Sequence, residues 1–256
     1  MVAHPAVGLV IQVAAQAAVP RDIGLGEWFS RGETWTGDGG IVGSLLDTLA
    51  LCGIVMVVSV ALAVPLAAIL SHYRRGELSA TWVLNTGRAI PTFAIAGLLV
   101  PISLRNGWGF EPWPMLIALT MLALPPIYLT TYTGVRQADP GAVDAARAMG
   151  YRERDILLKV ELALAVSLIF SGLRVAAVQV VATEPIRAYL GGDGLGRYVR
   201  DGLGQNNDTL LIGGAILVAG LATITGLLLG LIERLFLPRG ARRLRQVQTQ
   251  RTEGRT

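Results

Sequence analysis

Five long apolar stretches restrict this chain to a fold that is built within a lipid bilayer. A helix rises about 1.5 Å per residue, so roughly 20 apolar residues are needed to cross about 30 Å of hydrocarbon. Only 16% of the 256 residues are charged, whereas about a quarter are charged in a typical soluble domain. The sequence therefore predicts an all-α membrane protein with a core of five transmembrane helices. The predicted ranges are 49–70, 90–104, 115–132, 162–183 and 210–232. The second helix is expected to begin before its most apolar part, near residue 84.

A further apolar stretch near the N-terminus, 6–19, is shorter and contains Gln12 and Gln16. We interpret it as an interfacial or half-inserted segment, and a sixth crossing is the alternative. A secretory signal peptide is disfavoured because only His4 precedes the stretch, without the positively charged leader that such signals have. In either case, residues 21–40 are predicted to form a periplasmic loop.

Basic residues are concentrated in alternate loops, and this pattern predicts the orientation of the helices. Arginine and lysine are frequent in 71–89, in 133–161 and in the tail after Pro238, whereas the other loops contain most of the unbalanced acidic residues. Cytoplasmic loops of membrane proteins carry an excess of arginine and lysine. We therefore predict that these three regions are cytoplasmic and that the N-terminus is outside. The same pattern accounts for the net charge of +4 without nucleic acid as a partner.

The predicted cytoplasmic loop between the third and fourth helices contains a short helix with defined ends. Asp139 is a favourable N-cap, Pro140 suits the first helical turn, and Gly150 suits a helix stop. The helix is too short and too charged to cross a membrane. Ala145 and Ala146 leave one helix face nearly flat, so we expect a partner protein to approach closely there. The alternative is a surface helix that only connects two spans.

Around this helix, the sequence resembles the signature loop of the permeases of binding-protein-dependent ABC importers. That signature has a Glu-Ala-Ala run with a glycine four residues after the second alanine. Here Asp144-Ala145-Ala146 is followed by Gly150, and then by Ile156 and 159–162. Four further runs resemble the osmoprotectant branch of the same family, which imports glycine betaine, carnitine and choline. They are Ile-Pro-Thr at 90–92, Thr-Tyr-Thr-Gly-Val-Arg at 131–136, Gly-Leu-Arg at 172–174 and Ala-Tyr-Leu-Gly-Gly-Asp-Gly-Leu-Gly at 188–196.

The chain departs from the family pattern at three places. Asp144 replaces the usual glutamate, and Ala163 stands where the family usually has proline. Glu184-Pro185 stands where the branch usually has small or hydroxyl residues, near the predicted pathway. This last departure bears on which solute the chain carries.

The resemblance implies a permease of the bacterial inner membrane that is not itself an enzyme. Residues 41–238 would form the permease domain, between an N-terminal interfacial and periplasmic segment at 1–40 and a basic cytoplasmic tail at 239–256. A separate ATPase dimer, a second permease copy or a paralogue, and a periplasmic or lipid-anchored binding protein are the implied partners. The ATPase would be coupled through residues of the loop: Asp144, Ala145, Ala146, Met149, Gly150 and Ile156.

The residues themselves indicate no nucleotide, cofactor or metal site. The sequence lacks a Gly-x-x-x-x-Gly-Lys-Ser/Thr phosphate loop, so ATP chemistry is expected on the partner. The single cysteine, Cys52, lies in an apolar stretch, and His4 and His72 are far apart in sequence. We expect no metal ion and no cofactor.

Ionisable residues within apolar stretches are candidates for the transport pathway, because they are costly at membrane depth. Pro91, Arg174 and Glu184 are predicted to line the pathway. For Arg174 the alternative is a structural ion pair or an interfacial position, and for Glu184 it is the periplasmic rim.

Other functions remain open alternatives. An ABC importer for another small solute, such as an amino acid or an alkylsulfonate, would have a similar loop. An ion-coupled secondary transporter usually has more spans and internal repeats, which are not seen here. A structural or signalling membrane protein would not need the capped loop helix.

Overall fold

Helices make up nearly all of the part of the chain that the computed structural model describes, residues 23–37, 39–75, 92–109 and 112–236. The predicted all-α class is confirmed. In chain order, the α-helices are α1 (Leu25–Ser30), α2 (Gly32–Thr36), α3 (Ile41–His72), α4 (Thr92–Arg105), α5 (Trp113–Arg136), α6 (Pro140–Ala148), α7 (Glu153–Ile156), α8 (Leu162–Thr183), α9 (Gly196–Gln205) and α10 (Asp208–Phe236). A π-helix, Leu157–Glu161, joins α7 to α8, and a 3-10 helix, Glu184–Leu190, follows α8.

Four helical runs in the described part of the chain are long and apolar enough to cross a membrane. They contain α3, α5, α8 and α10, which correspond to the first, third, fourth and fifth predicted spans. The second predicted span corresponds to α4, a shorter apolar helix of 14 residues. Residues 76–91, which include Pro91, lie outside the described residues, as do 6–19 and the basic tail.

The first span begins earlier than the apolar stretch predicts. Helix α3 has 32 residues and is therefore roughly 48 Å long, well beyond the thickness of the hydrocarbon. Its first two turns include Ser44 and Thr48, which are polar but buried. The hydropathy pattern did not include these turns in the predicted span because they contain polar residues. The hydroxyl groups of these residues are buried against the rest of the protein rather than against lipid.

Small residues allow α5 and α8 to pack closely in the centre of the bundle. A Cβ added at Gly134 of α5 would lie 2.9 Å from the Cβ of Ala165, and one added at Gly172 of α8 would lie 2.8 Å from the carbonyl oxygen of Pro126. Close backbone approach is the usual means of helix association in lipid. The main core lies along this contact and includes Leu119, Ile127 and Val180, none of which is exposed.

The short helices α1 and α9 pack together at the end of the bundle where α3 begins. Trp28 of α1 is almost fully buried and makes an edge contact with Tyr198 of α9, with ring centroids 5.6 Å apart. The Tyr198 hydroxyl donates to the carbonyl of Gly39 at 3.0 Å, and Thr209 Oγ1 donates to the carbonyl of Ile23 at 2.6 Å. These contacts join α1 and Gly39 to α9 and to the predicted periplasmic end of α10.

The fourth span is part of one longer helical run. Helix α7, the π-helix and α8 follow one another without a break from Glu153. The sixth helix, α6, lies beside the beginning of this run. This arrangement places the loop helix directly against the element that enters the membrane as the fourth span.

Candidate functional site

The loop helix α6 has the ends that its sequence predicts. The Asp139 carboxylate accepts a hydrogen bond from the backbone N–H of Ala142 at 3.1 Å, and Pro140 occupies the first turn. Gly150 has a φ of +82°, a left-handed conformation that glycine adopts without steric cost. All three predicted helix signals are thus confirmed, and they define the ends of a nine-residue helix.

The two alanines of this helix face different ways. Ala146 is only 2% exposed and packs against its own chain, whereas Ala145 is exposed. Successive helical residues differ in direction by about 100°, so one neighbour can face inward while the other faces outward. The prediction that both alanines form a face for a partner is therefore wrong for Ala146.

The outward surface of the loop consists of Asp144, Ala145 and Met149, all exposed, with the Met149 side chain 70% exposed. Ile156 of α7 is fully buried. Apart from Gly150, which is exposed and ends the helix, the predicted loop residues thus fall into two groups. One group is available to a partner protein, and the other, Ala146 and Ile156, packs inside the chain.

Arg147 joins the loop helix to α7. Its Nε and Nη2 donate to the two carboxylate oxygens of Glu153 at 2.9 and 3.1 Å, and its Nη1 donates to Asp144 at 3.2 Å. The hydrogen bonds and charge of Glu153 raise the pKa of the Arg147 guanidinium above its usual range. A guanidinium that pairs with a carboxylate through two hydrogen bonds is held in orientation as well as in position. The ion pair therefore links α6 to the beginning of α7.

Glu184 does not lie at a solvated rim, so the alternative position considered for it is wrong. Its side chain is fully buried, Thr48 Oγ1 donates to Oε2 at 3.1 Å, and Arg187 Nη1 lies 3.3 Å from Oε1. Gly194 makes room for this cluster. A Cβ at Gly194 would lie 2.8 Å from both Glu184 Oε1 and Thr48 Oγ1. The cluster connects α3, the 3-10 helix and the turn before α9.

Arg174 pairs with Glu233, near the end of α10. Its Nη1 lies 3.7 Å from Glu233 Oε2, and its side chain is 44% exposed. The contact runs along a glycine face of α10, since a Cβ at Gly230 would lie 3.1 Å from Arg174 Nη1 and one at Gly226 would lie 3.2 Å from Val178. The structural ion pair expected as the alternative for Arg174 is present, and part of the guanidinium is still accessible.

Pro91, the third predicted pathway residue, lies outside the described residues, so the structure describes only two of the three. Arg174 and Glu184 are on different elements, α8 and the 3-10 helix, and each has its own partners. Within the described ranges, no cluster of three or more His, Cys, Asp or Glu side chains is arranged to hold a metal ion.

Sequence reasoning missed His72, Glu153 and Glu161, which meet where α3 ends beside the loop. His72 Nδ1 lies 2.7 Å from Glu161 Oε2, and its Nε2 lies 3.4 Å from Glu153 Oε2. The sequence shows only that Glu161 is an acidic residue directly before the apolar stretch of the fourth span, and its burial is known from the structure alone.

Comparison with protein families and with curated proteins identifies similar chains. Residues 59–241 match the model of the family described as binding-protein-dependent transport system inner membrane component. The carnitine transport permease protein OpuCB of Listeria monocytogenes is 30% identical over 191 residues, which are 75% of this chain and 85% of that protein. The choline transport system permease protein OpuBB of Bacillus subtilis is 27% identical over 212 residues, 83% of this chain and 95% of that protein.

Solved structures show the same fold. A chain of the MetNI methionine ABC transporter in an inward-facing conformation superimposes with a TM-score of 0.66 at 20% identity. The match covers 77% of this chain and 96% of that chain. A second crystal form of the same transporter gives a TM-score of 0.67 at 19% identity.

Proposed function

This chain belongs to the family of binding-protein-dependent transport system inner membrane components, and from that premise we propose that it is the permease subunit of an ATP-driven importer of osmoprotectants. The observation that carries the proposal is its similarity, over most of the chain, to permeases named for choline and carnitine. A further relative at 33% identity over 176 residues, from Bacillus subtilis, is named for glycine betaine, carnitine and choline. Quaternary ammonium solutes are therefore the proposed cargo. Membership of the family makes the chain a transport component rather than an enzyme.

We propose that the outward surface of the loop, Asp144, Ala145 and Met149, binds a separate ATPase. This surface is exposed, and a short helix with fixed ends presents it as a rigid unit. Gly150 ends the helix, while Ala146 and Ile156 hold it against the helical run that begins at Glu153. Movement of the ATPase would thus be transmitted to the fourth span. This assignment gives the six predicted loop residues two distinct roles, contact and support.

The remaining partners and the orientation follow from the family and the distribution of charge. We propose that two permease chains, identical or paralogous, form one pathway, and that a periplasmic or lipid-anchored binding protein delivers the solute. We propose a cytoplasmic location for the loop and for the tail 239–256, and a periplasmic location for 21–40, since arginine and lysine are concentrated on the first side. Residues 41–238 would form the permease domain.

Two residues are proposed to influence the pathway in different ways. Arg174 is partly accessible despite its pair with Glu233, and an accessible charge at a membrane helix tends to face water or a cavity. We propose that it lines the pathway near the cytoplasmic side. Glu184 is enclosed, so we propose that it shapes the outer end by holding the turn around Gly194 in place. For Pro91 the pathway role remains a proposal from sequence.

Growth at high salt tests the proposed function. The chain would be produced together with its ATPase and its binding protein, in a bacterial strain that lacks its own osmoprotectant uptake. We expect glycine betaine, carnitine or choline to restore growth only when all components are present. Growth restored by none of these solutes, with the complex assembled in the membrane, would contradict the osmoprotectant assignment.

A further inference from the structure

We infer that His72 is a positioning residue for transport coupling, because it ties the loop helix to the first transmembrane helix through two glutamates. The inference rests on the proposed function of the loop and adds to it a connection to α3. His72 is the last residue of α3, and its side chain is only 6% exposed. A buried imidazole of this kind requires polar partners, since an unpaired buried polar group is costly.

The partners of His72 both lie on the helical run that begins at Glu153. Glu161 Oε2 lies 2.7 Å from Nδ1, and the Glu161 side chain is 10% exposed. Glu153 Oε2 lies 3.4 Å from Nε2, and the Glu153 side chain is 50% exposed. A carboxylate accepts hydrogen bonds, so the imidazole donates to Glu161 through Nδ1, and the contact of Nε2 with Glu153 is an ion pair when the imidazole carries both protons. The short contact thus joins two different helical elements.

The π-helix explains how two glutamates eight residues apart can reach one imidazole. In a regular α-helix, eight residues rotate the side-chain direction by about 800°, which leaves the two glutamates about 80° apart. The π-helix Leu157–Glu161 lies between them and acts as one inserted residue. The effective spacing becomes about seven residues, which returns to nearly the same helix face. π-bulges are frequent at functional sites, and this one brings Glu153 and Glu161 to the side on which α3 ends.

The same glutamate connects His72 to the loop helix. Glu153 accepts two hydrogen bonds from Arg147 of α6, at 2.9 and 3.1 Å. A continuous series of contacts therefore runs from Arg147 through Glu153 to His72 and on to Glu161. It joins three elements that otherwise meet through the turn after α6 and through apolar packing.

The surroundings of His72 on α3 and on the facing helical run are mostly apolar. A cleft beside His72 has a volume of about 500 Å³ and is lined by Val64 and Ala68 of α3 and by Leu157 and Leu162 of the facing run. Beside the cleft, Ala68 is part of a buried apolar cluster, and Leu157 and Leu162 pack against that cluster. The imidazole contacts therefore add polar links to an apolar contact between α3 and the helical run that begins at Glu153.

A distance measurement on the full-length permease tests the structural part of the inference. Spin labels would be placed at Leu66→Cys in α3 and Ala145→Cys in the loop helix, with Cys52→Ala as background, because Leu66 and Ala145 are exposed and Cys52 is buried. In nanodiscs without ATPase, we expect one narrow distance distribution. His72→Leu should broaden it, and His72→Gln should keep it narrow, because the Gln amide can still donate to Glu161.

Coupled ATP hydrolysis tests the functional part. With the ATPase and the glycine betaine-loaded binding protein, His72→Leu should lose about tenfold in stimulated hydrolysis, while basal hydrolysis and the amount of bound ATPase are unchanged. His72→Gln should restore most of the stimulation. The matched control is Lys159→Gln, which breaks the 2.8 Å ion pair with Asp155 within the same helical run and should have little effect.

The outcomes separate this inference from the proposed function. A narrow distribution in His72→Leu, or normal stimulation despite a broad one, overturns the role of His72. Equal losses in His72→Leu and His72→Gln also overturn it, because only the latter keeps the hydrogen bond. If the unmodified complex shows no stimulation by any of the three solutes, the proposed function fails, and the distance measurement still decides whether His72 joins α3 to the loop. If His72→Leu does not fold, Glu161→Leu and Glu153→Leu replace it, because leucine can accept no hydrogen bond from the imidazole, and narrow distributions in both overturn the inference.

Discussion

Replacing Gly150 with alanine should weaken ATPase binding through the backbone alone. Gly150 has a φ of +82°, and a residue with a Cβ loses about 1–2 kcal/mol in a left-handed conformation. A Cβ added at Gly150 would meet no atom within 4 Å, so no steric clash adds to this cost. Since 1.36 kcal/mol corresponds to a factor of ten, the fraction of loops with the observed helix stop should fall by up to about 30-fold. The apparent affinity for the ATPase should fall by the same factor.

The same loop offers a matched control. Gly141 lies in the first turn of α6, and a Cβ there would lie 3.4 Å from Asp139 Oδ2, an ordinary contact. Alanine is a better helix former than glycine by about 1 kcal/mol. Gly141→Ala should therefore leave ATPase binding unchanged or strengthen it. Binding would be measured by titrating purified ATPase against immobilised permease in detergent, and equal affinities for the two variants would refute the role assigned to the helix stop.

Three further predictions concern the loop, the buried cluster and the orientation. Ala145→Trp should prevent ATPase binding and leave the isolated permease as stable as the unmodified chain. Ala146→Trp should instead lower the thermal stability of the permease, because overpacking a buried site costs about 1–3 kcal/mol. Similar melting temperatures for both variants would contradict the opposite orientations of the two alanines. Glu184→Gln should destabilise the protein by about 3 kcal/mol, because it removes a charge that compensates Arg187. The control Glu27→Gln breaks an exposed pair with Arg31 and should cost less than about 1 kcal/mol. Equal melting temperatures for these two variants would argue against the buried cluster around Glu184. Reporter fusions should show cytoplasmic activity after Arg75 and Gly150 and periplasmic activity after Gly107 and Gly204, and any exchange between these two groups would overturn the proposed orientation.

The parts of the fold that depend on local signals could be predicted from the sequence. The transmembrane stretches follow from length and hydropathy, and the ends of the loop helix follow from Asp139 and Gly150, whose effects act within a few residues. The family could be identified because the motif around Asp144 lies in this same short segment. These features required no knowledge of distant contacts.

The environment of individual side chains could not be predicted in the same way. Ala145 and Ala146 are identical in type, and only the packing of α6 against the next helical run decides which one is buried. For Glu184 the sequence left a pathway position and the rim as alternatives, and only the structure shows that Thr48, 136 residues earlier in the chain, and Arg187 contact its carboxylate. A π-helix has no clear sequence signal, so the approach of Glu161 to His72 was also hidden.

Reconstituted uptake is the most direct test of the central claim, that this chain is the permease of an ATP-driven osmoprotectant importer. The purified permease, its ATPase and its binding protein would be placed in liposomes that contain ATP, with radiolabelled glycine betaine, carnitine or choline outside. We predict uptake of at least one of these solutes that requires ATP and the binding protein and is lost in Ala145→Trp, with radiolabelled methionine not transported. Uptake that proceeds without ATP, or transport of methionine but of none of the three osmoprotectants, would contradict the account.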